Sequence, residues 1–453
     1  MSGFARLALG SLGRRPDPGP VCWALAACLE RQGRQVRHFF SRACYCSPQG
    51  GLTATGSASG YLDSWLLSTD ACRTRLAEAY ASADFVLAEG CFPADRCDLR
   101  VGEALTGARR GGDLATLAER LDLPRVIVLD AAQAVDCRIP PRPDAVDGVI
   151  LDGVADAGQF ARIQTCIEGV WGVPVLAALE RDEGLRQRLV SLIPGAPVPS
   201  EVIATLAARM SDYIQWNTLW AISDRPTLPQ PTAPVVERFD VLKPPTIATA
   251  YDAAFSGYFA DALEQYEKLG ARIVDFSPLN DESLPDDVDV VLIGCGRPEA
   301  HAEQLAANHC MLSALRDFAR RGGYIYSEGG GTAYLSRTLT LEDGRDYPLV
   351  DALPLAATLR EEPEHPCPVE FTARRDCLFA PAGTTLRAYR GGRYQFTAQE
   401  PSVAIDQELA EDWYRHGNTV GGRLQLHFAA QPVLLRGLFS RPSAGRAGYV
   451  NVG

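Results

Sequence analysis

Tyr324-Ile-Tyr-Ser-Glu-Gly-Gly-Gly331 runs a short apolar strand, 324–327, into three consecutive glycines. Just upstream, 303–320 has the spacing of a mostly helical stretch, and 288–293 is another apolar strand. Strand, helix and strand in succession predict parallel pairing, with the helix packed on the sheet. The pattern continues outward. Residues 247–250 read as a strand, 260–269 as a helix stopped by Gly270, and 273–276 as a further strand. The first half repeats it, with strands at 4–9, 36–40, 84–88, 125–129, 145–151 and 173–178. Between them fall helices at 21–32, ended by Gly33, and at 114–121 and 157–168.

Prolines 226, 229, 231, 234, 244 and 245 crowd the stretch between the two halves, the composition of a semi-extended linker. The predicted layout is an α/β domain over 1–190, a helical segment and proline-rich linker over 191–245, and a second α/β domain over 246–436. A flexible tail over 437–453 follows.

The chain has 453 residues, 46% hydrophobic and 22% charged, the balance of a globular protein. A net charge of −12 without a basic patch argues against nucleic acid as a partner. No apolar run reaches the roughly 18 residues of a membrane span, so the expectation is a cytoplasmic protein. Its 13 cysteines are odd in number and scattered, unlike a secreted disulfide framework. Cys44, Cys46, Cys91 and Cys97 lack the fixed spacing of a zinc or iron–sulfur site, and no metal site is expected. Only Lys243 and Lys268 are lysines among 44 basic residues.

Several further stretches are specific. Tyr251-Asp-Ala-Ala-Phe-Ser256, Phe276-Ser-Pro-Leu-Asn-Asp281, Gly294-Cys-Gly-Arg-Pro-Glu299 and the glycine turn follow one another at set distances. In the first half stand Ala54-Thr-Gly-Ser-Ala-Ser-Gly-Tyr-Leu-Asp-Ser-Trp65, Glu89-Gly90, Leu129-Asp-Ala131 and Val146-Asp-Gly-Val-Ile-Leu151. The chain resembles the cobyrinic acid a,c-diamide synthase family along nearly its whole length. The resemblance implies an N-terminal P-loop-like (dethiobiotin-synthetase-like) parallel-sheet domain and a C-terminal class I glutamine-amidotransferase-like α/β domain. It also implies ATP, magnesium and glutamine as reactants, and a corrin carboxylate as acceptor in cobalamin biosynthesis.

The residues that such chemistry needs are replaced. A P-loop cradles phosphate on backbone amides and reaches it with a lysine. The loop after the first strand reads Gly10-Ser-Leu-Gly-Arg-Arg-Pro-Asp-Pro-Gly-Pro20, and no lysine precedes Lys243. Gly10, Gly19, Glu89 and Asp130 are vestiges of the nucleotide and metal site. In the next loop Phe40, Cys44 and Ser47 stand where the family has a lysine and two aspartates, and thiols are poor magnesium ligands. At the strand-to-helix elbow Gly329 replaces the glutaminase cysteine. Gln425, in Leu424-Gln-Leu-His-Phe428, replaces its histidine. Nucleophilic catalysis needs both members of that pair. His427 survives, and Cys295, in a loop facing the elbow, is the one candidate substitute nucleophile. In Gly391-Gly-Arg-Tyr-Gln-Phe-Thr397, Gly392, Arg393 and Gln395 replace two histidines and a glutamate of the substrate motif.

These losses predict a catalytically degenerate homologue that needs neither ATP nor magnesium. It would act on an active amidotransferase paralogue as a regulatory partner, or carry a corrinoid or sirohaem-type tetrapyrrole, with a homodimer as a further expectation. Two alternatives stand beside this reading. One is an active a,c-diamide-synthase-type amidoligase that uses unorthodox residues. The other is a different enzyme in the inherited cleft, with Arg14, Arg15, Arg42, Arg297 and Arg393 as an anion site.

Overall fold

The computed structural model describes residues 3–12, 16–45, 47–92, 112–134, 139–192, 195–232, 244–373, 376–400 and 412–440. The chain divides into two units, Met1–Ala43 with Ser47–Val236, and Cys44–Cys46 with Glu237–Gly453.

In the first unit seven strands form one sheet. They are β1 (Ala5–Leu12), β2 (Val36–Phe40), β3 (Gly60–Tyr61), β4 (Phe85–Phe92), β5 (Arg125–Asp130), β6 (Gly148–Val154) and β7 (Val175–Glu180). Their order is β3-β2-β4-β1-β5-β6-β7, and every pair is parallel. The strands are continuous apolar runs because parallel sheets are covered on both faces. Gly19–Arg31 is buried from its first residue to Leu29 and packs on helix Ser200–Ser211. That second helix and Trp216–Ser223 lend Val202, Leu206, Met210 and Leu219 to the same core. Part of the segment set apart in the sequence as a linker region therefore belongs to this unit. Residues 233–243 of the linker lie outside the described residues.

Register sets the carboxylates at one edge. Asp130 ends β5 opposite Asp152, near the end of β6, and Glu89, opposite Leu9, lies in the C-terminal half of β4. That is the edge where open α/β sheets bind ligands.

In the second unit the main sheet holds β8 (Thr246–Ala250), β10 (Arg272–Phe276), β11 (Val290–Ile293), β13 (Tyr324–Glu328), β18 (Trp413–His416) and β19 (Thr419–Gly422). The order is β10-β8-β11-β13-β19-β18, parallel except for the terminal β18–β19 pair. A two-residue strand β12 (Cys295–Gly296) pairs with β9 (Phe255–Gly257). The mostly helical stretch 303–320 holds two helices, Ala302–Ala307 and His309–Arg320. Asn308 divides them: its side chain accepts from Met311 N (3.2 Å) and donates to Pro278 O (3.0 Å) and Asp281 O (2.8 Å). An amide that caps one helix ends the preceding one.

A second sheet was not apparent in the sequence. It has the order β15-β14-β16-β17-β20, built on a long hairpin of β16 (Leu355–Thr372) and β17 (Thr385–Ala398). β14 is Thr338–Thr340, β15 Asp346–Pro348 and β20 Leu424–Gln425. Glutamates and prolines 363, 366 and 368 suppress a strand pattern in β16. The pairing accommodates them by shifting register between Leu359 and Glu364 and again before Cys367. Residues 437–439, read as part of the tail, are helical instead. Helix Pro432–Phe439 buries Leu438 and Phe439 against the unit, and 441–453 lie outside the described residues.

Candidate functional site

The glycine turn of the second unit is the elbow predicted for it. Gly329 follows β13 with φ 50° and ψ −110°, and the helix Gly330–Leu335 starts directly after it. An L residue adopts that backbone only under strain. Gly329 N donates to Gly422 O at 2.8 Å, which fixes the turn against β19. Gly331 is required by close approach, since a Cβ there would lie 2.1 Å from the Ile293 carbonyl oxygen. The elbow geometry is thus kept at a position that carries no nucleophile.

Cys295 reaches it. A Cβ on Gly329 would sit 3.3 Å from Cys295 Sγ, so that sulfur borders the space a side chain at 329 would enter. Burial, and then the nearby Glu328 carboxylate, push the Cys295 thiol well above its ordinary value. It is therefore a protonated thiol at neutral pH, the weakly nucleophilic form.

Among the described residues no imidazole is hydrogen-bonded to Cys295. The segment after β19 runs beside the elbow, because Leu426 N donates to Glu328 Oε1 at 2.8 Å, and Gln425 is buried next to it. Gln425 has no basic nitrogen. His427, the surviving histidine, is engaged elsewhere. Its Nε2 lies 3.0 and 3.1 Å from the two Asp261 carboxylate oxygens, and its Nδ1 accepts from Ala430 N at 3.1 Å. It caps the short turn Phe428–Ala430.

Arg297 and Arg393 do converge, on a protein carboxylate. Arg297 Nε donates to Glu299 Oε1 at 3.1 Å. Arg393 Nε lies 3.2 Å from the same oxygen, an ion pair whose N–H is not aimed as a hydrogen bond. Tyr394 donates its hydroxyl to Glu299 Oε2. Glu299 is almost wholly enclosed by this clamp. Within the second unit, two of the five arginines grouped as an anion site are thus already paired. Arg42 is half-buried in the first unit, and Arg14 and Arg15 lie outside the described residues.

In the first unit Gly10 lies within β1, where a Cβ would meet the Gly90 carbonyl oxygen at 2.4 Å. Close strand packing accounts for it. Helix Gly19–Arg31 begins behind Pro18, and Pro20 follows Gly19, so two of the first amides are missing. Gly19 N is taken by Asp17 Oδ1 at 3.1 Å. A carboxylate from the chain itself occupies the place at a helix N-terminus where an anion would bind. Desolvation, followed by repulsion from Glu89 and also Asp152, pushes Asp17 up to about 6. Asp17 itself is exposed at the surface.

Asp17, Asp130, Asp152 and Glu183 line a cavity of about 550 Å³ with Arg181 and Arg186. Arg186 pairs with Asp152, and Asp130 accepts from Ala132 N at 2.8 Å, capping the turn Ala131–Gln133. The edge that would receive a polyphosphate is lined by four acids against two arginines.

Sequence reasoning missed the partners of Glu89. His38 Nε2 lies 2.9 Å from Glu89 Oε2, and His38 Nδ1 lies 2.8 Å from Ser59 Oγ, all three being buried. The predicted vestige of a metal site is thus held by an imidazole from β2. The one local signal was a histidine beside two phenylalanines in a short strand. Among the described residues, no group of three or more His, Cys, Asp or Glu side chains is placed to hold a metal ion. Cys44 and Cys91 are not disulfide-bonded, whereas Cys166 is, a departure from the picture of scattered thiols. No helix there is long and apolar enough to cross a membrane.

Comparison with known proteins agrees with the elbow and the sheet around it. Residues 246–389 match the CobB/CobQ-like glutamine amidotransferase domain. The cobyrinate a,c-diamide synthase of Syntrophotalea carbinolica is 28% identical over 434 residues, 90% of this chain and 92% of that protein. The Listeria monocytogenes serovar 1/2a protein of the same name is 29% identical over 449 residues, 92% of this chain and 95% of that one. The Herminiimonas arsenicoxydans protein, also so named, is 30% identical over 345 residues, 74% of each chain. This chain belongs to the cobyrinate a,c-diamide synthase family.

Proposed function

We propose that this chain is a catalytically degenerate member of its family that works by binding. It would serve as a regulatory partner of an active amidotransferase, or as a carrier of a corrinoid or sirohaem-type tetrapyrrole. The observation that supports this reading is the elbow. Its strained backbone is kept at Gly329, while the nucleophile is gone and His427 is tied to Asp261. The acidic edge of the first unit argues in the same direction, because Asp17 repels a phosphate where amides would have to attract one. On this reading neither ATP nor magnesium is a cofactor.

The test is calorimetric titration with Mg-ATP, glutamine and a corrinoid in turn, beside assays of glutamine hydrolysis and ATP turnover. Binding of the tetrapyrrole alone is the expected outcome. Tight Mg-ATP binding, or turnover that vanishes on changing a named residue, would overturn the proposal. The place of Cys295 favours a second reading, an amidoligase with a displaced nucleophile. Glutamine hydrolysis by the native chain that is lost in Cys295→Ala would establish it.

A further inference from the structure

Glu89, on β4, is the buried acid that the family resemblance sets beside a metal ion, and its partners come from the chain itself. His38 Nε2 lies 2.9 Å from Glu89 Oε2. A carboxylate only accepts, so Nε2 carries the hydrogen and donates it. The Cys22 thiol is a second hydrogen-bonding partner of the same carboxylate. On its other side the imidazole reaches Ser59, with Nδ1 2.8 Å from Oγ. His38 is carried by β2, the strand between β3 and β4, and Ser59 directly precedes β3. One ring thus ties β4 to the start of β3. Gly51 closes over the link, because a Cβ there would stand 2.4 Å from His38 Nδ1 and 2.6 Å from Ser59 Oγ. The side chains of His38 and Glu89 are 0% and 4% exposed.

This arrangement does not fit a magnesium ion. Magnesium takes about six oxygen ligands and keeps several waters among them. Here a ring nitrogen stands against the carboxylate oxygen, and the ring is enclosed. The other acids of that sheet edge are engaged as well, Asp17 with Gly19 N, Asp130 with Ala132 N and Asp152 with Arg186. A buried carboxylate still needs a partner, since one left alone is a charge that water no longer solvates. His38 supplies that partner with a donated hydrogen, the role that a cation has in a metal site.

We propose that the His38 imidazole is a built-in substitute for a divalent cation. The chain excludes the ion while the ring is present and gains a site for it when the ring is removed. In the space the ring leaves, Glu89 and the Ser59 hydroxyl are oxygen ligands and water completes the shell. The inference rests on the reading that magnesium is not a cofactor of this chain, and names the residue that excludes it.

The experiment uses the full chain, native and His38→Ala, with magnesium or manganese chloride at constant ionic strength. The native unfolding midpoint should respond to neither ion. His38→Ala should have a lower midpoint, and either ion should restore it in a saturable way. Manganese counted by electron paramagnetic resonance should show one more bound ion per His38→Ala chain than per native chain. Adding Glu89→Gln to His38→Ala should abolish both the restoration and the extra ion. In the native chain the 15N-labelled His38 ring should show a protonated Nε2 that magnesium leaves unmoved. No restoration of His38→Ala by either ion, whether that variant folds or not, would overturn the proposal. So would a restoration that survives Glu89→Gln, or a magnesium-dependent change at His38 in the native chain. Mg-ATP binding that leaves the His38 ring unmoved would count against the functional reading alone and would support the place of His38 beside Glu89.

Discussion

Placing a side chain at the elbow tests whether its backbone is held as described. Gly329 sits at φ 50° and ψ −110°, a region that costs an L residue about 1–3 kcal/mol. For a unit of this size that lowers the unfolding midpoint by roughly 2–12 °C, at about 2–4 °C per kcal/mol. The new Cβ would also stand 3.3 Å from Cys295 Sγ, tight by a few tenths of an ångström. That contact is the smaller part, because the sulfur has only a short way to move. Gly329→Ala and Gly329→Cys should therefore be destabilised to a similar extent, and adding Cys295→Ala should restore only a minor share. Gly329→Cys should still not hydrolyse glutamine, because Gln425 offers no base and His427 is paired with Asp261. The assays are thermal or denaturant unfolding and glutamate release. An alanine at 329 without effect on stability would refute the elbow geometry. Glutamine hydrolysis by the single cysteine variant would refute the account of the missing base.

Further predictions follow from the buried charges. Glu328 is raised from its ordinary 4.5 to about 7. Its favourable contribution is thus complete below pH 4.5 and lost as the pH rises to 7, on the order of 3 kcal/mol. Native minus Glu328→Gln stability should fall across that window; a flat difference would contradict it. His38→Ala leaves Glu89 buried without its imidazole and should cost about 3–5 kcal/mol, read as a lower denaturant midpoint; a loss under 1 kcal/mol would show that the pair is not enclosed. Arg393→Ala leaves Arg297 and Tyr394 on Glu299 and should cost about 1–3 kcal/mol. Loss of binding of a carboxylate ligand in that variant would instead mark the clamp as an open anion site. Asp17→Asn removes the charge capping Gly19. If Asp17 is what repels polyphosphate, Mg-ATP binding should be measurably stronger in the variant than in the native chain.

The strand–helix alternation was legible because parallel strands buried on both faces are written as unbroken apolar runs. Residues 36–40 and 114–121 read from the pattern coincide with the strand and helix observed there. The long strand Leu355–Thr372 was not legible, since its charges and prolines deny the pattern and pairing with Thr385–Ala398, and with Thr338–Thr340 near its start, holds it extended. The helix break at Asn308 was missed for a related reason. Its cap depends on the Pro278 and Asp281 carbonyls, some 30 residues away.

The same division runs through the candidate site. Which functional groups are missing is a property of the sequence alone: a glycine has no thiol, a glutamine no basic nitrogen, and a proline no amide to donate, wherever the chain places them. What the remaining groups do was decided by tertiary structure. Cys295 borders the elbow because β12 and the turn at Gly329 are brought together by the sheet. Arg297 and Arg393 share Glu299, His38 holds Glu89, and Glu328 faces a cavity with Tyr266. The physical reason is range. A side chain's chemistry is local and covalent, whereas its charge state and partners come largely from neighbours distant in sequence, which only the folded chain brings within hydrogen-bonding distance.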